Sequence, residues 1–226
     1  MRARDRWLWF GAWYLFFVLG YLGAGQFPIA TPRPAPQFAW EPLPLKSWAI
    51  WLYLSHFLLV ILATALVTER STFMGLIKRK ATATAVAFGV FFAWPTTLPR
   101  MVQTHEGWTG KAWSLLYQTD VPANCLPSLH VALACICLLA IGRGRSRIQR
   151  AFLTLWGLAI AISTLLTGQH VLLDVFAGAA LALLVVLVLP TTHEEPNRQA
   201  GQCPQVPQSH PAQPVIEPEE VLRFKS

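Results

Sequence analysis

Six long apolar runs, parted by short charged or proline-rich stretches, limit this chain more than any other feature. They cover residues 7–25, 48–68, 81–98, 127–141, 151–166 and 171–189. A run of such length with few charges matches the hydrocarbon thickness of a bilayer. There the backbone must satisfy its own hydrogen bonds, which favours helices. The totals agree: 54% of residues are apolar and 13% are charged, where a soluble domain carries about 25% charged residues. The ten tryptophans suit a membrane interface. The expected fold is therefore all-α, a six-span transmembrane helical bundle.

Orientation follows from Lys and Arg. The amino-terminal segment and the stretches 69–80 and 142–150 hold eleven of them, whereas the stretches 26–47 and 99–124 hold four. The positive-inside rule then places both termini in the cytoplasm. The basic start ahead of the first run resembles a signal peptide, but the run is bulky and aromatic, so an uncleaved first span over 1–25 is expected. Prolines 28, 32, 34, 36, 42 and 44 make 26–47 an irregular outer loop. Residues 69–80 are expected as a basic inner loop and 99–124 as a second outer loop. A core spans 48–189, and 190–226, rich in Pro, Gln and Glu, reads as a disordered cytoplasmic tail. The net charge of +7 lies in short loops where membrane anchoring explains it, so nucleic acid is not an expected partner. Cys125 and Cys203 are isolated, and Cys135 and Cys137 sit inside an apolar run as small hydrophobes.

With this topology, polar residues from distant parts of the chain share one depth. His130 starts the fourth span at its outer end. His170 lies in the turn between the fifth and sixth spans, and Asp174 follows four residues later, on the same helical face. Arg100 closes the third span. An imidazole oriented by a carboxylate can attack phosphorus, and a second imidazole can protonate the leaving oxygen. His170 is the candidate nucleophile, Asp174 its partner and His130 the acid. Ser128 and Asn124, beside a helix start with unpaired N–H groups, together with Arg100 and Lys111, are candidates for holding phosphate. His56, inside the second run, reads as a helix-packing histidine. Gly178 and Ala182 form a small-xxx-small pair suited to close helix packing.

Pro127-Ser128-Leu129-His130 resembles the PSGH-type second motif of the type 2 phosphatidic acid phosphatase (PAP2) superfamily. Ser163, Thr164, His170 and Asp174 resemble its third motif, serine-arginine-five-histidine-three-aspartate. The resemblance implies a PAP2-type six-span membrane bundle with an outward-facing site, no metal and no cofactor. It also implies His170 as nucleophile, Asp174 as its partner and His130 as acid. The implied substrate is a phospholipid, polyprenyl phosphate or sphingolipid phosphate. Leu129 stands where that pattern has glycine and Thr164 where it has arginine. No lysine-six-arginine-proline first motif is present, and Pro95 to Arg100 comes nearest to it. PSLH and the run STLLTGQHVLLDVFAG are similar to the branch that includes the yeast inositolphosphorylceramide synthases, which move a phosphoalcohol head group between lipids. Both acceptors, water and an alcohol, remain open at this point. A transporter is disfavoured because nothing charged falls inside the runs apart from Asp174. A metal-dependent hydrolase is disfavoured because no HExxH or i,i+4 histidine pair occurs.

Overall fold

The structure is a computed structural model that describes residues 1–27, 29–38, 45–100, 106–120 and 123–190. Among these residues seven helices form: α1 Ala3–Gln26, α2 Ala49–Leu66, α3 Arg70–Ala93, α4 Gly107–Thr119, α5 Leu129–Ile141, α6 Arg147–Leu166 and α7 Leu172–Val188. Six of them overlap the six apolar runs, but α3 starts before the third run and ends at Ala93, ahead of the run's last five residues. Helices α1, α2 and α6 are long and apolar enough to cross a membrane. The expected tail, 190–226, falls almost wholly outside the described residues.

The packing is that of a helical membrane protein. Large apolar side chains face outward along α1, α2, α6 and α7, among them Leu15, Phe16 and Leu19 on α1 and Leu183 and Leu187 on α7. In water such a surface would be an aggregation liability; in lipid it is the solvated face. The inside is built around α5, which packs on α2, α3, α6 and α7. Its 13 residues give it a length of only about 20 Å, short of the ~30 Å hydrocarbon core. Helices α2, α3, α6 and α7 surround it, and its carboxyl-terminal end leads into the exposed basic turn 142–146. Helix α1 lies on α3 and α2.

Two stretches depart from the expectation. Residues 70–80 are not a loop but the first turns of α3, capped by the Glu69 carboxylate, which accepts the Thr72 N–H at 3.3 Å. Their charges are used inside the fold. Arg79 donates to the carbonyls of Leu189 (2.9 Å) and Val186 (3.5 Å), which caps the negative end of α7. Lys80 is fully buried, with its ammonium 3.5 Å from the centre of the Trp13 ring of α1. A charge therefore does lie within the helical bundle. In the second stretch, 99–124, the chain forms α4, an amphipathic helix whose buried side is Ala112, Trp113 and Leu116. These pack on Ile50 and Tyr53 of α2.

One end of the bundle is knitted by irregular backbone. Strand β1 (Arg33–Pro34) pairs in parallel with β2 (Thr96–Thr97), and Thr96 also bridges to Asn124. The Thr96 hydroxyl accepts the Leu126 N–H at 3.0 Å. The segments leading into α2, leaving α3 and entering α5 thereby share hydrogen bonds, and Ala35, Leu98, Cys125 and Val171 form a small plug beneath them.

Candidate active site

The turn between α6 and α7 carries one half of the site. Gly168 has φ +65°, a left-handed conformation that reverses the chain at little cost only for glycine. The Thr164 carbonyl then accepts the N–H groups of both Gln169 (3.0 Å) and His170 (3.2 Å). The hydroxyls of Ser163, Thr164 and Thr167 bond back to carbonyls of their own helix, at 2.7 Å in each case. These residues thus build the turn and present no free donor. Asp174, fully buried in the first turn of α7, accepts the Val171 N–H at 3.1 Å and approaches His170 Nδ1 at 3.3 Å with the same oxygen. That contact assigns the proton of a neutral His170 to Nδ1 and leaves Nε2 with its lone pair.

The second half sits on α5. Ser128 is its N-cap, accepting the Val131 N–H at 3.4 Å, and His130 follows in the first turn. The imidazoles of His130 and His170 lie with centroids 5.8 Å apart. Among the described residues His130 Nε2 has no hydrogen-bonding partner. Two contacts hold the halves in register. The Ser128 N–H donates to the Asp174 carbonyl at 3.0 Å. A Cβ placed on Gly178 would lie 2.4 Å from the Ser128 carbonyl oxygen, so only glycine lets α7 come this close to the start of α5.

Both imidazoles line a cavity of about 630 Å³ that also takes in Arg100, Asn124, Gln169 and His56. This volume lies within the ~300–1,000 Å³ common for small-molecule sites. Arg100 is held by the carbonyls of Tyr117 (2.6 Å) and Asp120, and it pairs with the Asp120 carboxylate at 3.3 Å. Asn124 donates to the Tyr21 carbonyl at 3.0 Å, and its Oδ1 has no partner among the described residues. Burial, followed by the charges of Asp174 and Asp120, pushes the Cys125 thiol far up, which keeps it protonated and unsuited to nucleophilic attack.

Five of the seven sequence-predicted residues converge on one site: His170, His130, Asp174, Arg100 and Asn124. Ser128 is fully buried and shapes the start of α5 without lining the cavity. Lys111 does not reach the site; its ammonium stacks on Trp108, 4.7 Å from the ring centre, on the exposed side of α4. Sequence reading missed Tyr53; its ring and that of His56, read as a helix-packing histidine, flank His130 at 4.3 and 4.8 Å. They stand one turn apart on the buried face of α2, and their i,i+3 spacing was the available signal. It also missed Asp120, which anchors Arg100. Among the described residues no three His, Cys, Asp or Glu side chains are grouped as metal ligands.

A helical membrane-type protein with a buried His–Asp pair facing a second histidine and an arginine across a cavity is equipped for nucleophilic and acid–base chemistry on an anionic group. The chain belongs to the PAP2 superfamily, whose model matches residues 32–188. Membership indicates phosphatase-type activity on phosphorylated substrates. Among curated proteins no match is found.

Proposed function

We propose that this protein is a membrane lipid phosphatase or phosphotransferase that works through a phosphohistidine, chiefly as a hydrolase of a lipid phosphate monoester or pyrophosphate. One observation carries the reading: His170, oriented by Asp174, stands beside His130 with ring centroids 5.8 Å apart, and both line the cavity that Arg100 also lines. His170 Nε2 attacks phosphorus, and the bond from phosphorus to the leaving oxygen breaks. His130 gives that oxygen its proton. Water then attacks the phosphohistidine, passes a proton to His130, and phosphate leaves with His170 restored. Arg100 holds phosphate oxygens, joined by the second N–H of the Asn124 amide nitrogen, whose first is given to the Tyr21 carbonyl. No metal or cofactor is needed for these steps. In this reading α1, α2, α3, α5, α6 and α7 form the bundle that spans the cell membrane, both termini are cytoplasmic and the site opens at the outer face.

A second reading, transfer of a phosphoalcohol head group to a lipid alcohol, is favoured by Leu129 and by Thr164. The threonine puts no charge where a phosphatase of this family has arginine, and its hydroxyl is spent on the Ala161 carbonyl. Incubating the purified protein with a phosphorus-labelled lipid, with and without candidate alcohols and with a chelator, tests both readings. Free phosphate formed despite the chelator supports the hydrolase. A new labelled phospholipid that needs the alcohol supports the transferase. Full activity of His170→Ala would overturn both.

A further inference from the structure

Helix α1 lies outside the part of the chain that matches the family, which begins at residue 32. It is nevertheless part of the cavity. Tyr14, Phe17, Val18, Tyr21 and Leu22 line it, and their i, i+3, i+4, i+7, i+8 spacing is that of one helical stripe. The stripe runs about 12 Å along the helix axis. At one end the Tyr21 hydroxyl donates to Asp120, the partner of Arg100, while the Tyr21 carbonyl accepts Asn124. The apolar stripe is therefore continuous with the polar end that holds His130, His170 and Arg100. The cavity is not closed off: the lining residues Tyr14 of α1, Phe57 of α2 and Leu115 of α4 are 47%, 43% and 58% exposed, and the first two leave an opening between α1 and α2. Both helices are of membrane-spanning length and hydropathy, so this opening faces hydrocarbon, not water.

We propose that the α1 stripe is a chain-binding subsite: the hydrocarbon chain of a phosphorylated amphiphile lies against Phe17 and Val18, entering between α1 and α2, while its phosphate reaches Arg100 and the histidines. The occupant follows from the cavity, which joins an apolar trough with a polar end that bears two histidines and Arg100. α1 thereby sets which chain lengths are accepted, a task separate from the chemistry. The proposal rests on the phosphate reading of the site, and the test separates the two.

The full-length protein in lipid nanodiscs is irradiated with dodecyl phosphate carrying a diazirine at its chain terminus, and turnover of dodecyl and butyl phosphate is measured beside it. The expected result is labelling within residues 14–22, competed by excess dodecyl phosphate and not by butyl phosphate. Val18→Trp, which fills the trough, lowers the dodecyl-to-butyl ratio of kcat/KM about tenfold, equivalent to losing about two buried methylenes. Leu15→Trp, on the outward side of the same helix, leaves the ratio unchanged. Labelling confined to α6 or α7, or labelling at α1 that dodecyl phosphate does not compete, means bulk lipid and overturns the subsite. Turnover of both phosphates without competed labelling at α1 also overturns the subsite and leaves the phosphate reading standing. Competed labelling at α1 with no turnover of either phosphate leaves the subsite standing and sinks that reading.

Discussion

Two of the places where the bundle buries ionisable groups are handled in different ways. At His170 and Asp174 one carboxylate oxygen meets both the imidazole and a backbone N–H, the other (Oδ1) has no partner among the described residues, and the imidazole borders a cavity. At Lys80 the ammonium has no hydrogen-bond acceptor among the described residues and rests on the rings of Trp13 and Phe10. It borders no cavity described above. A buried charge alone does not mark a reacting centre. What distinguishes the first place is open volume beside the group and a second group facing it.

The largest test of this contrast is at the first place. His170→Ala should lower turnover more than about a thousandfold, and Asp174→Asn by about a hundredfold or more, with unchanged membrane insertion by protease accessibility. His130→Ala should cost about a hundredfold on an alkyl phosphate and far less on nitrophenyl phosphate, whose leaving group needs no proton. Equal losses on both would remove His130 from the acid role.

Next in size is the contact that aligns the halves. Gly178→Val drives a Cβ against the Ser128 carbonyl and should cost about 1–3 kcal/mol or more in stability, with turnover reduced at least about tenfold. Gly89→Ala, with nothing within 4 Å of the new Cβ, is the control and should be neutral. Thermal unfolding in detergent and turnover together read the difference.

At the second place the expected change is small. Lys80→Met should leave turnover within about twofold and the melting temperature equal or higher. A cation over an aromatic ring recovers about 2 kcal/mol, less than the several kcal/mol needed to desolvate an ammonium. A collapse of turnover would join Lys80 to the site and break the contrast. Smallest of all is the cap of α3. Glu69→Ala should cost about 1 kcal/mol without touching turnover. Hydrogen bonds from Ser71 and then Thr72 hold the Glu69 carboxyl below its ordinary value of 4.5. The wild-type advantage is therefore complete above pH 4.5 and fades as pH falls through the lower, folded value.

The long helices were legible because lipid demands apolar length and because charges and prolines end each run. The juxtaposition of His130, His170 and Asp174 was legible because each sits at a helix start, where topology alone fixes depth. Other features needed tertiary contacts. Arg79 and Lys80 look like loop charges until the carbonyl end of α7 and the rings of α1 are beside them. Helix α4 was hidden because its one apolar face has meaning only against Ile50 and Tyr53. Lys111 was over-read because nearness in sequence to Arg100 stood in for nearness in space. Tyr53 was missed for the converse reason, since α2 and α5 are far apart in the chain and adjacent in the fold.

The bond from the Ser128 N–H to the Asp174 carbonyl joins the main chain just before His130 to the residue that steadies His170. The gap between the two imidazoles is thus gauged by peptide units rather than by side-chain rotamers. Side-chain changes elsewhere in the cavity lining leave this main-chain bond in place. A scaffold built this way can exchange one cargo for another without relearning its chemistry.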